Sequence, residues 1–239
     1  PLLWNFKLFG KNVHKIDGLN ELAVVIQNKE MALKAELNEL KNLSQEEKDD
    51  QLMACLDSGD YNKAGLLLQA GASVEAKDKA GYTALMFAVD GHDCEAAKLL
   101  LDRGAELNAR YPAGQTVLFS AAGNGFKDIA KLLLDRGASV DMSDSFSLTP
   151  LMLAACHGRS DIVQLLIDSG ANINLQAADG NTALIAAAMG GHDDVIKLLL
   201  AGGADALLQG ESGDALQILD GQEGHEEVKA WLAQYQQNI

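Results

Sequence analysis

The chain reads LLLDRGA at residues 99–105 and LLLDRGA again at residues 132–138, 33 positions further on. Identical text at a fixed offset signals a repeat, so that offset is the first thing to test along the whole chain. Gly-Ala recurs at 71–72, 104–105, 137–138, 170–171 and 203–204, always at a step of 33 residues. Apolar triplets precede it: Leu-Leu-Leu from 66, 99, 132 and 198, and Leu-Leu-Ile from 165. Two more series keep the same register. One is GYTAL from 81, GQTVL from 114, SLTPL from 147 and GNTAL from 180. The other is acidic: Glu95, Asp128, Asp161, Asp194 and Glu227.

The physics of one unit follows from this text. A Gly-x-Thr turn opens a short helix, its Thr hydroxyl placed to satisfy free backbone N–H groups. The Ala-rich stretches after it let neighbouring helices approach closely. Gly125, Gly158, Gly191 and Gly224 then break the helix, and Gly59 fits the same slot. A second helix starts at the acidic series, where negative charge suits a helix N-terminus. It runs through the Leu triplet and ends at Gly-Ala, the glycine supplying a left-handed C′ residue. Such a unit has an apolar flank that it cannot bury alone, so units must stack into a solenoid. By this reading the leucine triplets fill core slots, Asp-Arg faces water and Gly-Ala turns the chain.

At this point the sequence resembles the ankyrin repeat family. Thr149, Pro150 and Leu151 form an intact T-P-L motif, with T-A-L or T-V-L at 83, 116 and 182. G-H followed by two acidic residues stands at Gly191–His192 and Gly224–His225. The resemblance covers residues 48–239 and implies an all-α solenoid of helix-turn-helix units joined by β-turn fingers. Its repeats would be 48–80, 81–113, 114–146, 147–179, 180–212 and a shortened 213–239. The His that usually follows T-P-L is replaced by Met86, Phe119, Met152 and Ile185. Its hydrogen bond to the neighbouring turn should be absent, with apolar contact in its place.

The ends carry different text. KDDQLMACLDSGD in the first repeat lacks G-x-T and reads as a cap, preceded by a capping-box pattern at Ser44–Glu47. The last unit slips by one residue at GDALQIL, and residues 205–239 hold seven acids and one Lys, so that end should be well solvated. Both ends read as complete. Residues 17–43 predict an amphipathic helix capped by Asp17, with Leu19, Leu22, Ile26, Leu33, Leu37 and Leu40 on one side. Lys29 and Glu30 interrupt that stripe. The helix either folds against the first repeat or serves as a coiled-coil or partner-binding arm. Residues 1–16 form an apolar N-terminal segment in which Trp4, Phe6 and Phe9 are candidates for docking, on the helix, on a partner or at a membrane interface. Pro1 fits either removal of an initiator Met or a cut from a longer chain.

Composition narrows the function. The 239 residues carry 34 acidic against 19 basic side chains, a formal net charge of −15, and residues 1–47 are nearly balanced. A body this acidic repels phosphate backbones, which argues against nucleic acid and for a protein partner. Cys55, Cys94 and Cys156 make no C-x-x-C pattern, so idle thiols in a reducing, cytoplasmic compartment are expected. No run of 18 apolar residues exists to span a bilayer. Chemistry finds no footing. GNGFKD at 123–128 lacks the third glycine and the preceding strand of a phosphate loop. Cys156 and His157 are neighbours pointing about 100° apart on a helix, a poor dyad. The five histidines show no ligand spacing for zinc, with His92 standing where Gly is usual. No catalytic residue, cofactor or metal is expected, and the chain reads as a non-enzymatic binding module.

The resemblance implies that a partner protein contacts finger tips and the exposed side of each unit's first helix. Those slots hold Lys79, Ala80 and Tyr82, then Tyr111, Pro112, Gln115 and Asn124. The next two units offer Asp144, Phe146, Leu148, Cys156 and His157, then Asp179, Asn181 and Met189. Tyr82, Tyr111, Phe146 and Leu148 would either form a contact row of apolar tips or tuck against the adjacent finger. Lys77, Lys79 and Arg110 add positive charge that could steer acidic segments. Two other roles fit the same text: a scaffold subunit held in a complex through residues 1–43, and an inhibitor or chaperone that occludes a partner.

Overall fold

The computed structural model describes residues 17–237, with side chains from 24 to 236. It is an all-α solenoid. A long helix, α1 (Asp17–Lys41), precedes six helix pairs: α2 (Gln45–Ser58) with α3 (Tyr61–Gln69), α4 (Ala84–Asp90) with α5 (Cys94–Asp102), and α6 (Val117–Asn124) with α7 (Lys127–Asp135). The array continues with α8 (Pro150–Cys156) and α9 (Ser160–Asp168), α10 (Ala183–Gly190) and α11 (Asp193–Ala201), then α12 (Ala215–Asp220) and α13 (Glu226–Gln237). The even-numbered helices α2 to α12 pack side by side as an inner row, and the odd-numbered ones from α5 to α13 as an outer row.

Local chemistry starts the helices α4, α6, α8 and α10 as their residues predict. Thr83, Thr116, Thr149 and Thr182 are buried N-caps whose Oγ1 accepts from the backbone N–H three residues on, at 3.2–3.4 Å. Ser44 and Glu47 form the predicted capping box. In the last unit the cap falls on Asp214 rather than the Thr slot, which is the one-residue slip. The four residues in the missing His slot are buried, as the expected apolar contact requires. Two of them do more: the Met86 and Met152 thioethers accept weakly from the N–H of Thr83 and Thr149.

The twin LLLDRGA copies share one burial pattern, with one difference from the simple core assignment. Only the middle leucines, Leu100 and Leu133, are fully buried, while the flanking ones are half-buried. A period of 3.6 residues per turn cannot point three consecutive side chains into one core. The copies also touch each other: Arg136 of the second pairs with Asp102 of the first at 2.8 Å. A ladder that the sequence reading missed binds successive units. Glu75, Asn108, Asp141 and Asn174, spaced by 33 residues, each accept from a backbone N–H 31 residues on, at 2.7–3.1 Å.

Helix α1 behaves as neither expectation alone describes. Leu37 and Leu40 pack on the core beside α3, but Val24, Val25, Ile26, Met31 and Leu33 stand 49–59% exposed. Length explains it. Twenty-five helical residues span about 37 Å and the nine of α3 about 13 Å, so only the last turns of α1 find cover.

Candidate functional site

The inner helices turn one side chain row after another toward the concave surface. At the C-terminal ends of α4, α6, α8 and α10 one 33-residue slot holds Asp90, Gly123, Cys156 and Met189. Those one turn earlier are Phe87, Ser120, Leu153 and Ala186. Where the frame repeats, these slots do not, and the face they form changes character along the array.

Toward α4, α6 and α8 lies an open cavity of about 310 Å³ lined by Asp90, Tyr111, Gln115, Phe119, Ser120, Asn124, Leu153 and His157 among others. Asp90 Oδ1 accepts from the Tyr111 hydroxyl at 2.6 Å and the Ser120 hydroxyl at 3.0 Å, and Asn124 Nδ2 donates on to Ser120 at 3.3 Å. Burial, with the Asp90 carboxylate beside it, pushes the Tyr111 phenol far above its ordinary range. Tyr82 stacks edge-on against Tyr111 at 5.5 Å and beside Phe87 at 5.8 Å. His157 Nδ1 donates to the Leu153 carbonyl at 2.9 Å, since a carbonyl can only accept, which leaves Nε2 for the groove. Beyond Leu153 the lining turns apolar: Leu148, Met152, Cys156, Ala186 and Met189 enclose a second hollow of about 160 Å³.

The expected finger-tip residues divide by fate. Lys79 is exposed, and Phe146 projects with 66% of its surface exposed. Tyr82 and Leu148 are half-buried against the core. Tyr111 follows the tucked alternative rather than projecting, for it is 8% exposed and packs on Tyr82. Its slot holds Asp78 and Asp144 in the neighbouring units, and there the carboxylate takes two backbone N–H groups to shape the finger. Tyr111 has no such acceptor and turns inward to Asp90 instead. Arg110 is likewise engaged, its guanidinium donating to the Gly114 carbonyl and, at 2.8 Å, to the Ser143 carbonyl of the next finger. Gln176 repeats that strut two units later. Gln115, Asn124 and His157 line the polar cavity and Met189, 52% exposed, lines the apolar one. Trp4, Phe6 and Phe9 lie outside the described residues.

Asp90, Ser120 and Leu153 were missed by the sequence reading. A usable signal was present at Asp90: a carboxylate ending a helix opposes the local dipole, and the slot that holds Asp57 and Asp90 in two successive units turns uncharged at Gly123, Cys156 and Met189. Chemically the face offers hydrogen bonds, one carboxylate and apolar cover. Burial raises the Cys55 and Cys94 thiols away from reactive thiolate. Among the described residues no three His, Cys, Asp or Glu side chains converge as a metal site, and no helix is long and apolar enough to cross a membrane.

Comparison with known families agrees with this architecture. Models described as ankyrin repeats match residues 67–125, 108–177 and 179–211. No curated protein matches the chain. With its helix pairs, its fingers and three family models spanning 67–211, the chain belongs to the ankyrin repeat family, whose repeats serve as protein–protein interaction modules.

Proposed function

We propose that this protein binds a partner protein without catalysis, through the concave face of α4 to α10 and the finger tips beside it. The observation that carries this is the contrast between frame and face. Core and cap residues recur every 33 positions, whereas the concave slots hold unlike residues that join into one continuous polar-to-apolar groove. Side chains that merely fill a repeat have no reason to differ in this way. A second reading has its own support. Val24, Val25, Ile26, Met31 and Leu33 of α1 leave apolar surface bare on more than one side of the helix, which fits an arm holding the protein in an assembly.

Cross-linking in the native cell with Asn124→Arg beside Lys131→Glu tests the first reading. Asn124 lies in the groove and Lys131 on the outer row, where it pairs with Asp135. Asn124→Arg should lose the partner and Lys131→Glu keep it. Equal recovery by both folded variants removes the concave face from consideration. A chain lacking residues 1–36 separates the arm: a scaffold then leaves its complex, whereas a concave-face binder keeps its partner.

A further inference from the structure

Asp90 sits badly for a frame residue. It is the last residue of α4, where the unsatisfied carbonyls already make the helix end negative, on a body of net charge −15. Both hydroxyls that reach it, from Tyr111 and Ser120, fall on Oδ1, and among the described residues Oδ2 takes no donor. The residue is exposed and opens into the polar cavity, and among the described residues no cation lies in ion-pair range of it. The aromatic group of Tyr82, Phe87 and Tyr111 packs beside this carboxylate. A preoriented carboxylate next to aromatic rings is a setting for a cationic side chain, by charge-assisted hydrogen bonding and by attraction to the rings. The apolar hollow lies further along the same face, and Leu153 lines both it and the polar cavity.

Resting on the concave-face reading, we propose that the groove takes an extended segment of a partner protein, setting a basic side chain on Asp90 and an apolar one over Leu148, Leu153 and Met189. The spacing follows from geometry. The acidic site lies between α4 and α6 and the apolar hollow between α8 and α10, two helix intervals apart. At about 8–10 Å per interval this is about 16–20 Å. An extended chain advancing about 3.3 Å per residue covers it in about five or six residues. The two subsites also set the segment's orientation in the groove, because the basic end meets α4 and the apolar end meets α10.

Panning a random linear 12-residue peptide library on the full-length protein tests this. Enriched peptides should carry Arg or Lys followed or preceded, at five or six residues, by Leu, Met or Phe. Asp90→Asn, which keeps the shape and the hydroxyl bonds, should lose the basic position alone and weaken a selected peptide by about tenfold or more. Met189→Ser with Leu148→Ser should lose the apolar position alone. No enrichment, a consensus without a basic residue, or a consensus unchanged in the variants overturns the proposal. Asn124→Arg separates it from the broader reading. If that variant releases the cellular partner while Asp90→Asn and the Met189/Leu148 pair retain it, the concave face stands and the two subsites fall.

Discussion

Ser147 stands at φ 60° in the slot that Gly81, Gly114, Gly180 and Gly213 fill elsewhere. A side chain in the left-handed region costs about 1–2 kcal/mol, and the exposed Ser147 side chain has nothing to offset it. Ser147→Gly should therefore raise the urea midpoint, by a margin trimmed by the larger unfolded entropy of glycine. His92, at φ 52°, takes the corresponding glycine slot after α4 but is compensated: its ring stacks on Phe126 at 4.1 Å and bonds Asp128 at 2.9 Å. That bond holds the Asp128 carboxyl below its usual range. His92→Gly should bring no gain, and a gain equal to that of Ser147→Gly would mean the compensation is illusory. Tyr111 makes a pH prediction. Its folded phenol is raised, so the stability it contributes is complete below the ordinary phenol pKa near 10, where both states are neutral. Above that the unfolded chain ionises first, and stability falls by about 1.4 kcal/mol per pH unit until the folded group titrates too. Tyr111→Phe should be less stable at neutral pH through the lost Asp90 bond, yet decline less steeply above pH 10. Parallel stability curves for the two proteins between pH 9 and 11 would reject this account of Tyr111.

Helices begin and end for reasons that act within a few residues, which is why their caps were legible in the sequence. Thr149 reaches the N–H of Met152 three positions on, and no distant contact is needed to predict it. Helix α1 shows the opposite. Its apolar stripe is visible from Leu19 to Leu40, but how much is covered depends on the length of α3, a partner set by tertiary packing. The two ends of α1 should accordingly respond differently. Leu40→Ala, at 6% exposure, should cost about 2–4 kcal/mol of first-unit stability, while Leu33→Ala, at 55%, should stay within about 0.5 kcal/mol. Hydrogen exchange along α2 and α3 reads the difference, and equal protection loss would place Leu33 in a contact that the fold does not contain. The inter-unit ladder was harder to see because its acceptors change type, Glu75, Asn108, Asp141 and Asn174, and only their register unites them. Whether Tyr111 projects or tucks in could not be chosen from the sequence, because its inward turn answers to Asp90, on another helix.

At the scale of the molecule the solenoid was readable because one period governs every unit, while the binding face was not, because function sits in the slots where the period carries no information. The one-dimensional order has a mechanical consequence. The principal helix contacts join neighbouring units only, so stability is a chain of local terms and interface terms. Leu133 in α7 and Leu232 in α13 are both fully buried, and truncating either removes a similar volume, costing about 2–5 kcal/mol locally. Their positions separate the outcomes. Among the described units the one holding Leu232 packs on a single neighbour, so in Leu232→Ala the α12–α13 pair should melt early, losing a small share of helical signal before a main transition close to wild type. Leu133 is flanked on both sides by units that depend on it. Leu133→Ala should therefore draw the main transition itself to lower urea and broaden it as the array divides into two weakly coupled halves. Circular dichroism across a urea series distinguishes the two shapes. Superimposable curves for the variants would show that the array unfolds as a single unit, with its ends as firmly held as its middle.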